Sequence, residues 1–193
     1  MIEITPEILM GIARPYKTVR SKREGQRINV HALPHHMNIW FPVYEVTSKL
    51  RVAHFLAQSC CETAYFLSLT EIAKNKGLEY EPTTNAGRMV GNHFPGDGPR
   101  FIGRGLLHLT GRENYQKYGN KIHQDLVNHP EKVASDLSLA VRTSCIFWQT
   151  RGLNDLADRN NFDEICRRVN GGANGKEQRR EALVRAKRLL GLQ

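Results

Sequence analysis

Between Asn75 and Gly105 the chain carries seven glycines and three prolines. Glycine forfeits backbone entropy in any regular element and proline removes a donor, so no long helix or strand can cross this stretch. Asn75-Lys76-Gly77 and Phe94-Pro95-Gly96-Asp97-Gly98-Pro99 punctuate it. Such a chain folds as regular elements gathered around a loop-rich centre, and the flanking sequence makes those elements helices.

Thr5-Pro6-Glu7 reads as an N-cap, a first-turn proline and a first-turn acid. Ile8, Leu9, Ile12 and Ala13 follow at helical spacing, and this helix ends before Pro15. Residues 16–44 are basic, then rich in His, Pro and aromatics, and are expected to pack irregularly. From Val46 to Cys61, apolar Val46, Leu50, Ala53, Ala57 and Cys60 or Cys61 keep the 3.6-residue period of a buried helix. Beyond the loops, helices are expected from Asn114 to Lys121 and from Leu137 to Thr150, closed by Gly152. Phe162, Ile165, Cys166 and Val169 mark a short helix ending at Asn170-Gly171-Gly172, and Leu183, Ala186, Leu189 and Leu190 mark a basic terminal one stopped by Gly191. The expected class is mainly α, with residues 1–193 as one domain: an N-terminal part, 1–44, packed on a core of 45–191.

With 193 residues and 40% apolar side chains the chain can bury a sizeable core, while lacking the unbroken apolar run of a membrane span. Its opening, Met1-Ile2-Glu3-Ile4-Thr5-Pro6-Glu7, lacks the basic flank and apolar stretch of a secretory signal, so synthesis in a cytoplasm is expected. Four cysteines, two of them adjacent (Cys60, Cys61, Cys145, Cys166), do not make a disulfide framework and are read as reduced thiols. The net charge is +9. It is uneven: residues 1–60 hold 8 basic and 4 acidic groups, 61–166 hold 12 and 13, and 167–193 hold 8 and 2. A neutral middle between positive ends suggests an anionic partner met at the periphery of a site that is not itself basic.

Glu62 closes the most apolar helix, in Gln58-Ser59-Cys60-Cys61-Glu62-Thr63-Ala64-Tyr65-Phe66. An acid among core residues is costly unless paired or used, and burial favours its protonated form. A protonated carboxyl near neutral pH is what protonates a departing glycosidic oxygen. Glu71 follows nine residues later. On one continuous helix the two would point to opposite faces, about 13.5 Å apart along the axis. If the helix stops between Ala64 and Ser68 and the chain turns back, they can approach the roughly 6.5–9.5 Å that leaves room for a water in an inverting hydrolase. Glu79 and Glu81 compete with Glu71 for that second role.

Glu62-Thr63-x-x-Phe66 followed by Glu71, then Phe101-Ile102-Gly103-Arg104-Gly105-Leu106-Leu107-His108-Leu109-Thr110-Gly111-Arg112-Glu113-Asn114-Tyr115, then Val169-Asn170-Gly171-Gly172, resembles glycoside hydrolase family 19. That family comprises plant-type chitinases and phage endolysins, and this short, loop-poor form looks most like the endolysins. The resemblance implies a lysozyme-like fold with a loop-rich cleft, a general acid at Glu62 and a base at Glu71. It also implies that Thr110 positions the attacking water, that Tyr65, His108, Asn114, Tyr115 and Asn170 contact sugar, and that Arg179 or Arg180 lies near the carboxylates. Departures fall at Cys61 and at Ala64-Tyr65, where many members have His and two glycines, and at His108, where chitinase members carry Gln.

Other chemistries fit less well. No His-Glu-x-x-His is present and Pro34 separates His31 from His35, so no metal and no cofactor are expected. A Cys/His nucleophile has no local signature. The clusters Arg14, Lys17, Arg20, Lys22, Arg23, Arg27 and Arg179, Arg180, Arg185, Lys187, Arg188 lack interleaved aromatics for base stacking, so nucleic acid is not the expected partner. The expectation is a monomeric hydrolase of the β-1,4 glycan of peptidoglycan, drawn to an anionic envelope through its basic C-terminal helix and acting on the periplasmic wall after release. A chitinase, a lytic transglycosylase and a basic binding module are the alternatives.

Overall fold

The computed structural model describes residues 2–172 and 175–192. In chain order the described helices are α1 (Pro6–Ile12), α2 (Arg20–Val43), α3 (Lys49–Glu62), a 3₁₀ turn (Leu78–Tyr80), α4 (Asn85–Met89), α5 (Asp97–Arg100), α6 (Arg112–Ile122), α7 (Lys132–Ser135), α8 (Leu137–Thr150), α9 (Leu153–Asp158), α10 (Phe162–Asn170) and α11 (Lys176–Leu189). Among the described residues, extended pairing outside helices is confined to the isolated bridges Thr70–Arg104 and Arg104–Leu109. The mainly α class therefore holds. The chain divides into two compact units, Met1–Ser68 with Cys145–Gln193, and Leu69–Ser144.

The first unit is organised around α3. Ser48 caps it, its Oγ accepting from Arg51 N at 3.1 Å. Helices α1, α9, α10 and α11 pack against it, and every residue from Val52 to Cys60 is buried. Phe55 lies between Phe41 and Trp148, with ring centroids 4.9 and 5.1 Å away in edge-on and tilted contacts. Trp148 Nε1 donates to Asn154 Oδ1 at 2.9 Å, and Asn154 Nδ2 donates to the Tyr44 carbonyl at 3.0 Å, so the polar handle of the largest core side chain is satisfied. A helix buried on several sides must also find partners for its polar residues: His54 Nε2 meets Asn160 Oδ1 at 2.9 Å, and burial pushes the His54 imidazole below its usual pKa.

The expectation of irregular structure over 16–44 is corrected. Residues 20–43 form a single helix that runs through Pro34 and Pro42. An interior proline costs roughly 3 kcal/mol, and the stripe of buried Val30, Leu33, Met37 and Phe41 offsets it through tertiary packing. That stripe has helical spacing in the sequence, masked there by the density of His, Pro and aromatics. The short α7 and α9 also went unread. Elsewhere the ends agree closely: Thr5 Oγ1 caps α1, α8 covers Leu137–Thr150, and Gly171 closes α10 in the left-handed conformation.

The second unit holds its short helices with polar ties as well as an apolar core that includes Phe101, Leu106, Tyr115 and Val133. The Asp97 carboxylate, 2% exposed, accepts from the His93 and Phe94 amides at 3.0 Å and from the Arg112 guanidinium at 2.6–3.0 Å. Burial alone would raise its pKa; the Arg112 bonds and the two amides outweigh burial and hold it down at about 2. A depressed carboxylate contributes stability above its unfolded pKa of about 3.9 and loses it as the pH falls through the folded value, so about 2 kcal/mol should disappear between roughly pH 4 and pH 2. Urea unfolding followed across that range should show this loss in the native protein and a correspondingly flatter pH dependence in Asp97→Asn; equal slopes would refute the assignment.

Candidate active site

Glu62 is the last residue of α3, in the first unit, with a side chain 15% exposed. Arg179, in the first turns of α11, reaches back to it: Nη2 donates to Glu62 Oε1 at 2.5 Å, while Nη1 donates to Gln58 Oε1 at 2.7 Å. Of the two arginines expected here, Arg179 is therefore the one at the carboxylate. Arg180 turns away, placing its guanidinium 4.5 Å over the Phe162 ring and 3.4 Å from Asp163. Gln58 was not foreseen. Its signal was an amide one turn before Glu62, on the same face of a helix otherwise read as core.

After Glu62 the helix stops sharply. Ala64, Tyr65 and Phe66 all take positive φ, at 49°, 64° and 64°, a conformation that costs an L-residue roughly 1–2 kcal/mol. Hydrogen bonds hold it. Thr63 Oγ1 accepts from Phe66 N at 2.9 Å and Tyr65 N donates to the Cys60 carbonyl at 2.6 Å. From the N-terminal segment, Tyr16 OH donates to the Ala64 carbonyl, Gln26 Nε2 to that of Tyr65 at 2.7 Å, and Asn29 Nδ2 to those of Phe66 and Leu67 at 2.9 and 3.0 Å. The departure from two glycines is thus met by ordinary residues held in a glycine-like turn.

Beside Glu62, Cys61, Tyr65, Asn170, Gly175, Gln178 and Arg179 line a pocket of about 270 Å³. Tyr65 and Asn170, both expected at the substrate, are among these residues. All four cysteines are free thiols. Burial pushes the Cys61 thiol up to about 11, and those of Cys60 and Cys145 up as well, so none of the three is a ready nucleophile at neutral pH. On α11, Arg185 Nε donates to the Ile12 carbonyl at 2.7 Å and Lys187 Nζ to Asn160 Oδ1 at 2.8 Å, while Arg180 and Arg188 stay exposed.

Glu71 belongs to the second unit. Its backbone pairs with Gly103, N to O at 2.9 Å, and its carboxylate accepts from Gly103 N at 2.5 Å and from Tyr80 OH at 3.2 Å. Gly103 is where three expected site residues meet: a Cβ there would lie 3.0 Å from the Glu71 carboxyl carbon, 2.8 Å from His108 Cβ and 3.1 Å from Thr110 Oγ1. Thr110 Oγ1 donates to the His108 carbonyl at 2.9 Å, and Asn114 Nδ2 to the Thr110 carbonyl at 2.8 Å. Glu79 and Glu81 are occupied elsewhere. The Glu79 carboxylate accepts from the Lys74 and Asn75 amides, and that of Glu81 from the Gly96 and Gly98 amides, each pinning a loop.

Tyr115, expected among the sugar contacts, is fully buried instead. Burial pushes its phenol up to about 12, and its hydroxyl donates to the Ile102 carbonyl at 2.8 Å while accepting from Arg104 at 3.0 Å. It braces the segment bearing Gly103 and has no surface left for a substrate. Among the described residues no three His, Cys, Asp or Glu side chains gather as a metal-ligand set.

The family described as chitinase class I matches residues 43–166. A glycosyl hydrolase family 19 domain-containing protein of Haemophilus influenzae is 34% identical over 110 residues, 54% of this chain and 52% of the relative. Acidic endochitinase Q of Nicotiana tabacum is 37% identical over 87 residues, 45% of this chain and 34% of the relative. This chain thus spans about half the length of the first of these relatives and a third of the second. Among solved structures, a bacterial family 19 chitinase aligns with 100% of this chain and 97% of its own at a TM-score of 0.72 and 20% identity, and a class IV chitinase from Zea mays with 98% and 94% at 0.70 and 20%. Those two likenesses establish the fold. With the family match covering most of the chain and both carboxylates inside it, the chain belongs to glycoside hydrolase family 19.

Proposed function

We propose that the protein is a glycosidase that cleaves the β-1,4 glycan backbone of bacterial peptidoglycan, with Glu62 as general acid and Glu71 as general base on water. The observation that carries the reading is the convergence of Glu71, His108 and Thr110 on Gly103. Because the Thr110 hydroxyl gives its proton to the His108 carbonyl, its lone pairs are turned to accept from a water, which Glu71 would deprotonate as it attacks the anomeric carbon. Glu62 would deliver a proton to the departing oxygen, and the sugar would emerge with inverted configuration. Two carboxylates suffice for both proton transfers, so no cofactor is invoked. His108, Asn114, Tyr65 and Asn170 serve as sugar contacts in this scheme, and the protein works as a monomer made in a host cytoplasm and released to the periplasmic wall.

The choice of peptidoglycan over chitin rests on charge. This chain carries +9, whereas chitin is neutral and bacterial walls are anionic. With Arg185 and Lys187 hydrogen-bonded within the first unit, the attraction is assigned to exposed Arg188 of the basic C-terminal helix together with exposed Lys17, Arg20, Lys22 and Arg23 of the N-terminal segment. Replacing those five by Gln should weaken binding to whole envelopes at low salt, with little effect on cleavage of short neutral oligosaccharides; equal losses on both would refute it. A chitinase remains the second reading, favoured by the naming of relatives such as the tobacco endochitinase. Digestion of purified peptidoglycan and of chitin hexamer, with products resolved by mass spectrometry, separates the readings. Muropeptides ending in reducing N-acetylmuramic acid are expected. Cleavage of chitin alone would establish the chitinase, 1,6-anhydro ends a transglycosylase, and released peptide stems an amidase.

A further inference from the structure

The Arg179 guanidinium bridges two successive turns of α3: Nη2 to Glu62 Oε1 at 2.5 Å and Nη1 to Gln58 Oε1 at 2.7 Å. Gln58 is 0% exposed and Arg179 4%. A buried amide is costly unless both of its ends are bonded, and here both are, since Gln58 Nε2 donates to Cys166 Sγ at 3.4 Å. The orientation of the amide follows from its neighbours. Arginine only donates, so the oxygen must face Arg179 and the nitrogen must face the thiol.

We propose that Gln58 is a positioning residue for the acid: by accepting from Nη1 it fixes the plane of the Arg179 guanidinium, and so fixes which nitrogen meets Glu62 and where the Glu62 carboxyl lies. The inference rests on the catalytic role proposed above for Glu62. Two anchors on one rigid helix define the plane of a planar fork; one anchor leaves it free to swing about the remaining bond. Without any acceptor at 58, Nη1 would be a buried donor with nothing to bond, and the fork would turn towards Glu62 or towards solvent, taking the carboxyl out of line with the leaving oxygen.

The test is steady-state kinetics on chitin hexamer and on solubilised peptidoglycan strands, whichever the wild type cleaves, for Gln58→Met, Arg179→Met, the double variant and Glu62→Gln. Gln58→Met removes the acceptor at nearly constant volume. It should lower kcat by about 10- to 100-fold, the usual consequence of displacing a catalytic group by an ångström, with KM within twofold. Because Gln58 acts through Arg179, it should add no further loss in the Arg179→Met background. A purely structural role would multiply the two losses, and a substrate contact would raise KM; either result overturns the inference. Gln58→Asn, which withdraws the oxygen by one methylene, carries the same expectation and serves if circular dichroism shows Gln58→Met unfolded. If Glu62→Gln is inactive while the folded Gln58 variant is fully active, the positioning role alone falls. If Glu62→Gln remains active, the acid assignment falls and takes this inference with it.

Discussion

Glu62→Gln is expected to yield folded protein whose glycan cleavage is slower by about 10²- to 10⁴-fold, the usual contribution of one positioned proton donor. The amide matches the carboxyl in shape and can still accept from Arg179, but cannot release a proton to a departing oxygen. The side chain is 15% exposed and its partner 5%, so an amide in place of the carboxyl also changes the partner of a buried guanidinium. A loss of thermal stability should accompany the loss of rate, which is why the two must be measured together. Activity within tenfold of wild type in a folded Glu62→Gln would remove the acid from the scheme.

The second large effect concerns fold rather than chemistry. Gly111 adopts φ 89° and ψ 140°, a region that residues with a Cβ avoid. A Cβ there would overlap the Val90 carbonyl oxygen and lie 2.7 Å from the Val90 carbonyl carbon. Both atoms belong to backbone, so no rotamer change can relieve the clash. Gly111 N also donates to the Phe101 carbonyl at 2.9 Å, and the next residue, Arg112, holds Asp97. Gly111→Ala should therefore cost more than about 3 kcal/mol, combining overpacking with a disfavoured backbone. Hydrogen exchange should show faster opening across residues 69–144, and cleavage should fall because Glu71 and Thr110 lie in that unit. A thermal midpoint within about 2 °C of wild type would contradict this account.

How far the sequence carried the fold differs by element, for physical reasons. Helices with an apolar stripe and a recognisable stop, α3, α8, α10 and α11, could be placed because periodicity and capping agree there. For α2 they conflict: two interior prolines argue against a helix that tertiary packing nevertheless enforces. In the candidate site, the residues proposed as acid and base were picked out by an acid in an apolar helix, Glu62, and by the order of motifs, Glu71. Arg179 could be narrowed to a pair of neighbours but separated from Arg180 only by the facing of α11. Tyr115 misled because an aromatic hydroxyl within a motif gives no sign of which face it turns. Gln58 carried only its place one turn before Glu62 as a sign, which by itself does not distinguish an amide that bonds across 121 positions from one exposed to water.

The match to the family in sequence begins at residue 43, yet the left-handed turn behind Glu62 is fastened from outside that boundary by Tyr16, Gln26 and Asn29. The span recognisable by sequence and the span needed for mechanical integrity thus have different limits in this chain. An engineer who excised 43–193 as a minimal enzyme, or grafted that span onto another N-terminus, would keep every motif and lose the fasteners. Such a chimera would have to import α2 along with the core, or restore glycine at positions 64 and 65, where the backbone could then hold its curve unaided.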